Sequence, residues 1–317
     1  NPSRGHITAV AILVILSHGA INSLPGSVLA SVTKYYCFVN IGATIGLIVT
    51  LLAKCPEFNT RQYTFGQVIN STGWDADGWA FLFGFLQVSW VMTCYDATSR
   101  MSEEAYNAAY LTPLAIASAL TTTAVLGWVL VIVITLTMGT DLDRILNTGS
   151  GQPIVEIYHI AMGKTGAIAY LSLAFVVIWF CGAVAMCYTA RGLWSFARDG
   201  GLPYSNFWYN LDPRTKAPLR CVWLICLINS LLVLINLGST IAMNAIFSAC
   251  AICTDWSYII AIFFFSLNRE KMGVPRGPFH MGKLSKPVMM YSCIWTLFVS
   301  IVFVFPNYMP VNKENMN

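Results

Sequence analysis

Seven stretches of this chain carry no Asp, Glu, Lys or Arg over lengths that reach across a bilayer: residues 5–33, 35–53, 78–95, 105–140, 165–190, 221–254 and 287–312. About 20 apolar residues in a helix span the hydrocarbon layer. Each window therefore holds about one crossing, and the 221–254 window also begins a second, with Gly238-Ser239-Thr240 as the turn. The pattern predicts eight helices, near 6–24, 30–53, 79–100, 113–139, 167–190, 219–236, 242–266 and 287–305, in a single transmembrane domain over 1–317. These segments are hydrophobic all round rather than striped, which favours lipid over an aqueous surface. Only 10% of the residues are charged, against about 25% in soluble domains. The expected fold class is an all-α polytopic transmembrane bundle.

Sidedness follows from the loops, because retained cytoplasmic loops carry the excess of Lys and Arg. With the loop after residue 24 inside, the inner loops hold twelve cations, five of them between Arg191 and Arg220, and the outer segments hold six. The net charge of +4 then reads as orientation, and no nucleic-acid partner is needed to explain it. Asn70-Ser71-Thr72, an N-glycosylation acceptor pattern, falls outside on this topology. The chain opens on Asn1-Pro2-Ser3-Arg4 without Met or signal peptide and reads as a fragment.

Ten cysteines do not make a redox framework here. Cys94, Cys181, Cys187, Cys226, Cys250, Cys253 and Cys293 fall within spans, where Cys is a small apolar residue. Cys250 and Cys253 have C-x-x-C spacing, but no second pair and no nearby His completes a metal site. His18 is the only His within a span, and it reads as a hydrogen-bonding residue between packed helices.

The residues that cost most in lipid are the informative ones. Asp96 lies within a polar run from Thr93 to Arg100, and an acid at membrane depth costs about 2.5–3.5 kcal/mol on insertion scales. A helix that unwinds beside a water-filled site has this signature, with backbone groups turned to a solute. The alternative is an i,i+4 ion pair with Arg100 at the surface. Asp255 lies near mid-membrane, as a proton carrier, a counter-ion to a cationic substrate group, or a structural hydrogen-bonding group. Trp90, Tyr95, Trp179, Tyr188, Trp256 and Tyr258 flank these runs; such rings hold ammonium groups by cation–π attraction or anchor and pack the helices.

Tyr95-Asp96-Ala97 with Met101-Ser102-Glu103-Glu104 and Asn107-Ala108 resembles the sixth-helix signature of the fungal amino acid, GABA and choline permeases of the amino acid-polyamine-organocation superfamily. Ala190-Arg191, the run from Phe196 to Pro203, Ala217-Pro218, Asn244-Ala245-Ile246, Gly277-Pro278-Phe279, Phe305-Pro306 and Glu314-Asn315-Met316-Asn317 extend the resemblance over nearly the whole chain. It implies an inverted-repeat fold of twelve helices, truncated here at both ends so that the eight spans are helices 4 to 11. It also implies a secondary active permease for amino acids or small amines such as GABA, choline or polyamines, working by alternating access. Such a protein is not an enzyme and carries no cofactor; its coupling ion is H+ or Na+, and its place is the plasma membrane, with the vacuolar membrane as the alternative. The implied substrate-binding residues are Trp90, Thr93, Cys94, Tyr95, Asp96, Ala97 and Asp255, with no metal ligand. Without helices 1 to 3 the chain alone is not expected to transport. Two positions depart from the family pattern: Cys94 stands where relatives have Gly, and Arg100 where they tend to carry His. Two other classes fit less well: a receptor on a permease scaffold, and an intramembrane aspartyl protease, whose two carboxylates must lie about 3 Å apart.

Overall fold

The computed structural model describes residues 3–102, 105–149, 151–273, 277–306 and 308–311, with backbone alone at 240, 241, 244, 245, 248, 251, 270 and 272. Asn1-Pro2, Glu103-Glu104 and Glu314 to Asn317 lie outside the described residues. Among the described residues there are helices and no strand. Six helices are long and apolar enough to cross a membrane: α1 (Arg4–Asn22), α2 (Gly26–Lys54), α6 (Ala108–Thr137), α8 (Pro153–Arg198), α10 (Leu219–Gly238) and α12 (Ser285–Val304), the last preceded by a 3-10 turn at Gly282–Leu284. The protein is thus an all-α polytopic membrane protein. A seventh long helix, α11 (Thr240–Met272), covers the expected 242–266. The third expected span differs: α4 (Asp77–Val91) stops early, and the short α5 (Ala97–Arg100) follows an unwound turn. Short helices α3 (Arg61–Gly66), α7 (Leu142–Leu146) and α9 (Ser205–Trp208) complete the order.

Local chemistry sets several of these boundaries. Ser3, Thr60, Asp141 and Ser239 cap α1, α3, α7 and α11 by accepting hydrogen bonds from backbone N–H groups three residues on, which satisfies donors that a helix start leaves open. Pro153 sits in the first turn of α8, where its missing N–H costs nothing. Gly163 (φ 71°, ψ 178°) is not helical, so α8 is two helical stretches meeting at a kink, the first from Pro153 and the second holding the fifth expected span.

The chain forms two compact units, residues 1–67 with 121–231 and residues 68–120 with 232–317. In the first, Leu47, Leu51, Val133, Ile157 and Ala167 build one core around α2, α6 and α8, and Met186, Ala190, Val222 and Cys226 build another between α8 and α10. His18 is buried against Trp179, ring centroids 5.2 Å apart. It fits because position 182 is Gly: a Cβ there would come within 2.5 Å of the imidazole. In the second unit, Val299, Val302 and Phe303 of α12 pack on Leu82, Phe83, Phe85 and Leu86 of α4 and Ile252 of α11. That packing sets the walls of the site described next.

Candidate functional site

α4 ends where its residues stop favouring a helix. The Met92 and Thr93 N–H groups reach Val88 and Trp90 carbonyls at 3.0 and 3.3 Å, and the Thr93 hydroxyl donates to the same Trp90 carbonyl at 2.7 Å. This tightens the last turn and draws a side chain into competition with the ladder. Cys94 then turns left-handed at φ 67°, a conformation that costs an L-residue roughly 1–2 kcal/mol relative to the right-handed region. After it the Cys94 carbonyl accepts from Ala97 N–H at 3.2 Å, and the Asp96 carbonyl starts α5 by accepting from Ser99 and Arg100 N–H at 2.8 and 3.3 Å. The interruption expected across Thr93 to Ala97 is therefore present, with its pivot at the residue where the family pattern has Gly.

The Asp96 carboxylate is buried and meets the Arg100 Nε at 2.7 Å. The i,i+4 ion pair is thus real, but its acid lies in the interior: the Asp96 side chain is 11% exposed and that of Arg100 is 39% exposed. Asp96 holds the turn to α5 and is not on the cavity wall. The cavity itself has a volume of about 390 Å³ and lies among α4, α11 and α12, all within the second unit. That is within the range of small-molecule sites, roughly 300–1,000 Å³.

Of the seven residues expected at the site, Tyr95 and Asp255 line this cavity. Trp90, Thr93, Cys94, Asp96 and Ala97 do not; Trp90 packs edge-on against Phe247, ring centroids 6.3 Å apart. Asp255 is the only charged residue of the lining, and its carboxylate makes no hydrogen bond or ion pair with a described residue. Tyr95 and Tyr258 lean together with centroids 5.4 Å apart, and the Tyr258 hydroxyl is turned to the Asp96–Arg100 pair. On the far wall Trp295 stands perpendicular to Phe85 at 5.3 Å, with Tyr291 beside it at 6.4 Å.

Sequence reasoning passed over α12 entirely. A signal was there: Tyr291-Ser292 and Trp295-Thr296 repeat an aromatic–hydroxyl pair at i,i+4, which stacks both pairs on one helix face. Trp256, for which cation binding and helix packing were both open, takes the packing role: its indole donates to Ser300 Oγ at 3.0 Å and ties α11 to α12. Trp179 belongs to the first unit, where it donates to Ser17 Oγ at 2.9 Å. Among the described residues no group of three or more His, Cys, Asp or Glu could hold a metal, and every cysteine is a free thiol.

A helix interruption next to an acid-bearing, ring-lined cavity is a pattern that membrane transporters use at their substrate sites. The amino acid permease family model matches residues 1–317. The chain belongs to that family. It is 44% identical over 316 residues to an uncharacterized amino-acid permease of Schizosaccharomyces pombe, covering 100% of this chain and 58% of that protein. It is 34% identical over 318 residues to amino-acid permease 2 of Neurospora crassa, covering 100% and 58%. It is also 31% identical over 319 residues to the choline transporter of Saccharomyces cerevisiae, covering 100% and 56%. The permease chain thus spans well under two thirds of the length of these curated relatives. These relatives are named as permeases and a transporter rather than as proteases, and the Asp96 carboxylate pairs with Arg100 rather than with a second acid.

Proposed function

We propose that this permease acts, in its intact form, as a secondary active transporter for amino acids or related small amines such as GABA or choline, cycling by alternating access in the plasma membrane. The observation that carries the reading is the unpaired Asp255 on an aromatic cavity next to the α4–α5 interruption. Amino acids and choline, the solutes named for the relatives, share a cationic nitrogen. A carboxylate at membrane depth balances such a charge or carries a coupling proton, and the faces of Tyr95, Tyr258 and Trp295 attract it as well. The interruption adds backbone groups that lack an i,i+4 partner and so remain open to a solute.

Asp96 acts one step back from the solute. Its ion pair with Arg100 fixes where α5 starts, and through that turn it fixes where Tyr95 stands. Either H+ or Na+ serves as coupling ion in this scheme, and the dependence of uptake on external pH and on Na+ distinguishes them. The test is radiolabelled uptake by cells displaying the intact protein, competed with choline, GABA and a panel of amino acids. One of these classes is expected to compete strongly, and Asp96→Asn to abolish uptake while surface expression stays intact. Binding without uptake of any solute would contradict the transporter reading and leave a receptor.

A further inference from the structure

The cytoplasmic end of the first unit holds a second, smaller concavity that transport does not use. α2 begins at Gly26 behind Pro25, and no side chain caps it. The Val28 and Leu29 N–H groups fold back to the Pro25 carbonyl at 3.0 and 3.2 Å, whereas those of Gly26 and Ser27 donate to no described residue. The positive end of a 29-residue helix is therefore left open, a setting that favours an anion. Next to it lies a cavity of about 20 Å³, whose lining includes Asn22, Leu24, Gly26, Arg191 and Lys216. A space of this size admits about one hydroxyl or water oxygen.

Two cationic residues are in its lining, Lys216 and Arg191, whose Nη1 donates to Cys187 Sγ. Arg191 Nη2 stands 4.0 Å from where a Cβ on Gly26 would sit. Lys216 is held at φ 57° by a turn in which its N–H donates to the Asp212 carbonyl at 2.9 Å. The nearby acid is engaged by its own turn. Asp212 accepts from Thr215 N–H, Thr215 Oγ1 and Arg214 N–H, at 2.8, 3.1 and 3.1 Å. These bonds, the Thr215 N–H foremost, hold its carboxyl below the usual carboxylate range.

The second observation is Asn22, 3% exposed. Its amide nitrogen spends both hydrogens on the His18 and Ala183 carbonyls, each at 2.9 Å. That fixes the orientation of the amide, and the atom left without a partner is the acceptor, Oδ1. A ligand that fits must therefore accept from cations and helix N–H groups and also donate one hydroxyl. The exposed side chain of Leu24 is part of the lining, which favours a ligand with an acyl tail over a soluble one.

We propose that this concavity takes one headgroup hydroxyl of an anionic phospholipid of the cytoplasmic leaflet, whose phosphate rests at its mouth. The phosphate meets Arg191, Lys216 and the start of α2, and a headgroup hydroxyl donates to Asn22 Oδ1. The test is native mass spectrometry of the intact protein released from bilayers holding phosphatidylinositol, phosphatidylserine or phosphatidylcholine. Phosphatidylinositol should be retained most and phosphatidylcholine least. Lys216→Gln and Arg191→Gln should each weaken retention about fivefold, the effect of one basic residue at a membrane surface. Unchanged melting in phosphatidylcholine would show that both variants fold. Equal retention of phosphatidylinositol and phosphatidylcholine, or full retention in both variants, would overturn the proposal. So would displacement of the lipid by millimolar inorganic phosphate, which would assign the site to a free anion.

Discussion

Two helices of this permease are interrupted by a residue with positive φ, and the interruptions have opposite consequences. At Gly163 (φ 71°, ψ 178°) two helical stretches of α8 meet at a kink with only the glycine out of helical conformation, and the second runs to Arg198. Around Cys94 (φ 67°) the helix is broken: α4 ends at Val91, and the five residues 92–96 pass before α5 begins. Gly adopts its angles without steric cost, and the region it occupies is closed to other residues. Cys adopts its angles under strain, on the order of 1–2 kcal/mol. The bend in α8 is thus a fixed feature of one chemical type of residue. The turn at Cys94 is held by its neighbours: the Thr93 hydroxyl on Trp90, the Asp96–Arg100 pair, and the contact of Tyr95 with Tyr258. Strain kept in place by surrounding contacts marks functional segments of the backbone.

That contrast orders the expected effects of substitution. Gly163→Ala should cost the most, up to about 3 kcal/mol, because the new residue is forced into a Gly-only region. Nothing lies within 4 Å of the added Cβ, so the whole loss is conformational, and a thermal melt of the purified protein measures it. Solute selectivity should stay as it was. Cys94→Gly should do the reverse. Strain relief of roughly 1 kcal/mol is offset by the greater freedom glycine has in the unfolded chain, so the melting temperature should barely move. The turn loosens, however, and the apparent affinity for solute should fall; unaltered uptake kinetics would show that the strain at this turn has no part in function. Thr93→Ala is the mildest. It removes one hydrogen bond to the Trp90 carbonyl, worth about 0.5–1.5 kcal/mol, and a melt that shows no loss would take Thr93 out of the set that holds the turn.

Much of the fold was legible because spanning helices are encoded in one dimension. The absence of charge located α1, α2, α6, α10 and α12 to within a few residues. Charge-free runs find the lipid-facing part of a helix and not its ends, which is why α11 runs on to Met272 through Arg269 and Lys271. For the same reason α8 starts at Pro153, before Lys164. The interruption of the third span was legible from its polar run. Its pivot was not readable as a glycine, since Cys94 fills that place. Least legible was which side chains share the cavity. Within a turn such as 92–96 the direction of each side chain depends on local angles rather than on a helical period, so Tyr95 reaches the cavity while Asp96, one residue on, faces Arg100. The contribution of α12 depends on packing between segments far apart in the chain, visible beforehand only as the repeated aromatic–hydroxyl pair at Tyr291 and Trp295.

The central claim is that Asp255 supplies the charge a solute or its coupling proton meets. It is tested most directly by initial uptake rates in proteoliposomes holding the intact protein with Asp255→Asn or Asp255→Glu, at equal protein density. The account predicts that Asn loses at least about tenfold, as expected for removal of a buried countercharge, and that Glu keeps part of the activity. Equal rates for Asp255→Asn and the unsubstituted protein would contradict it.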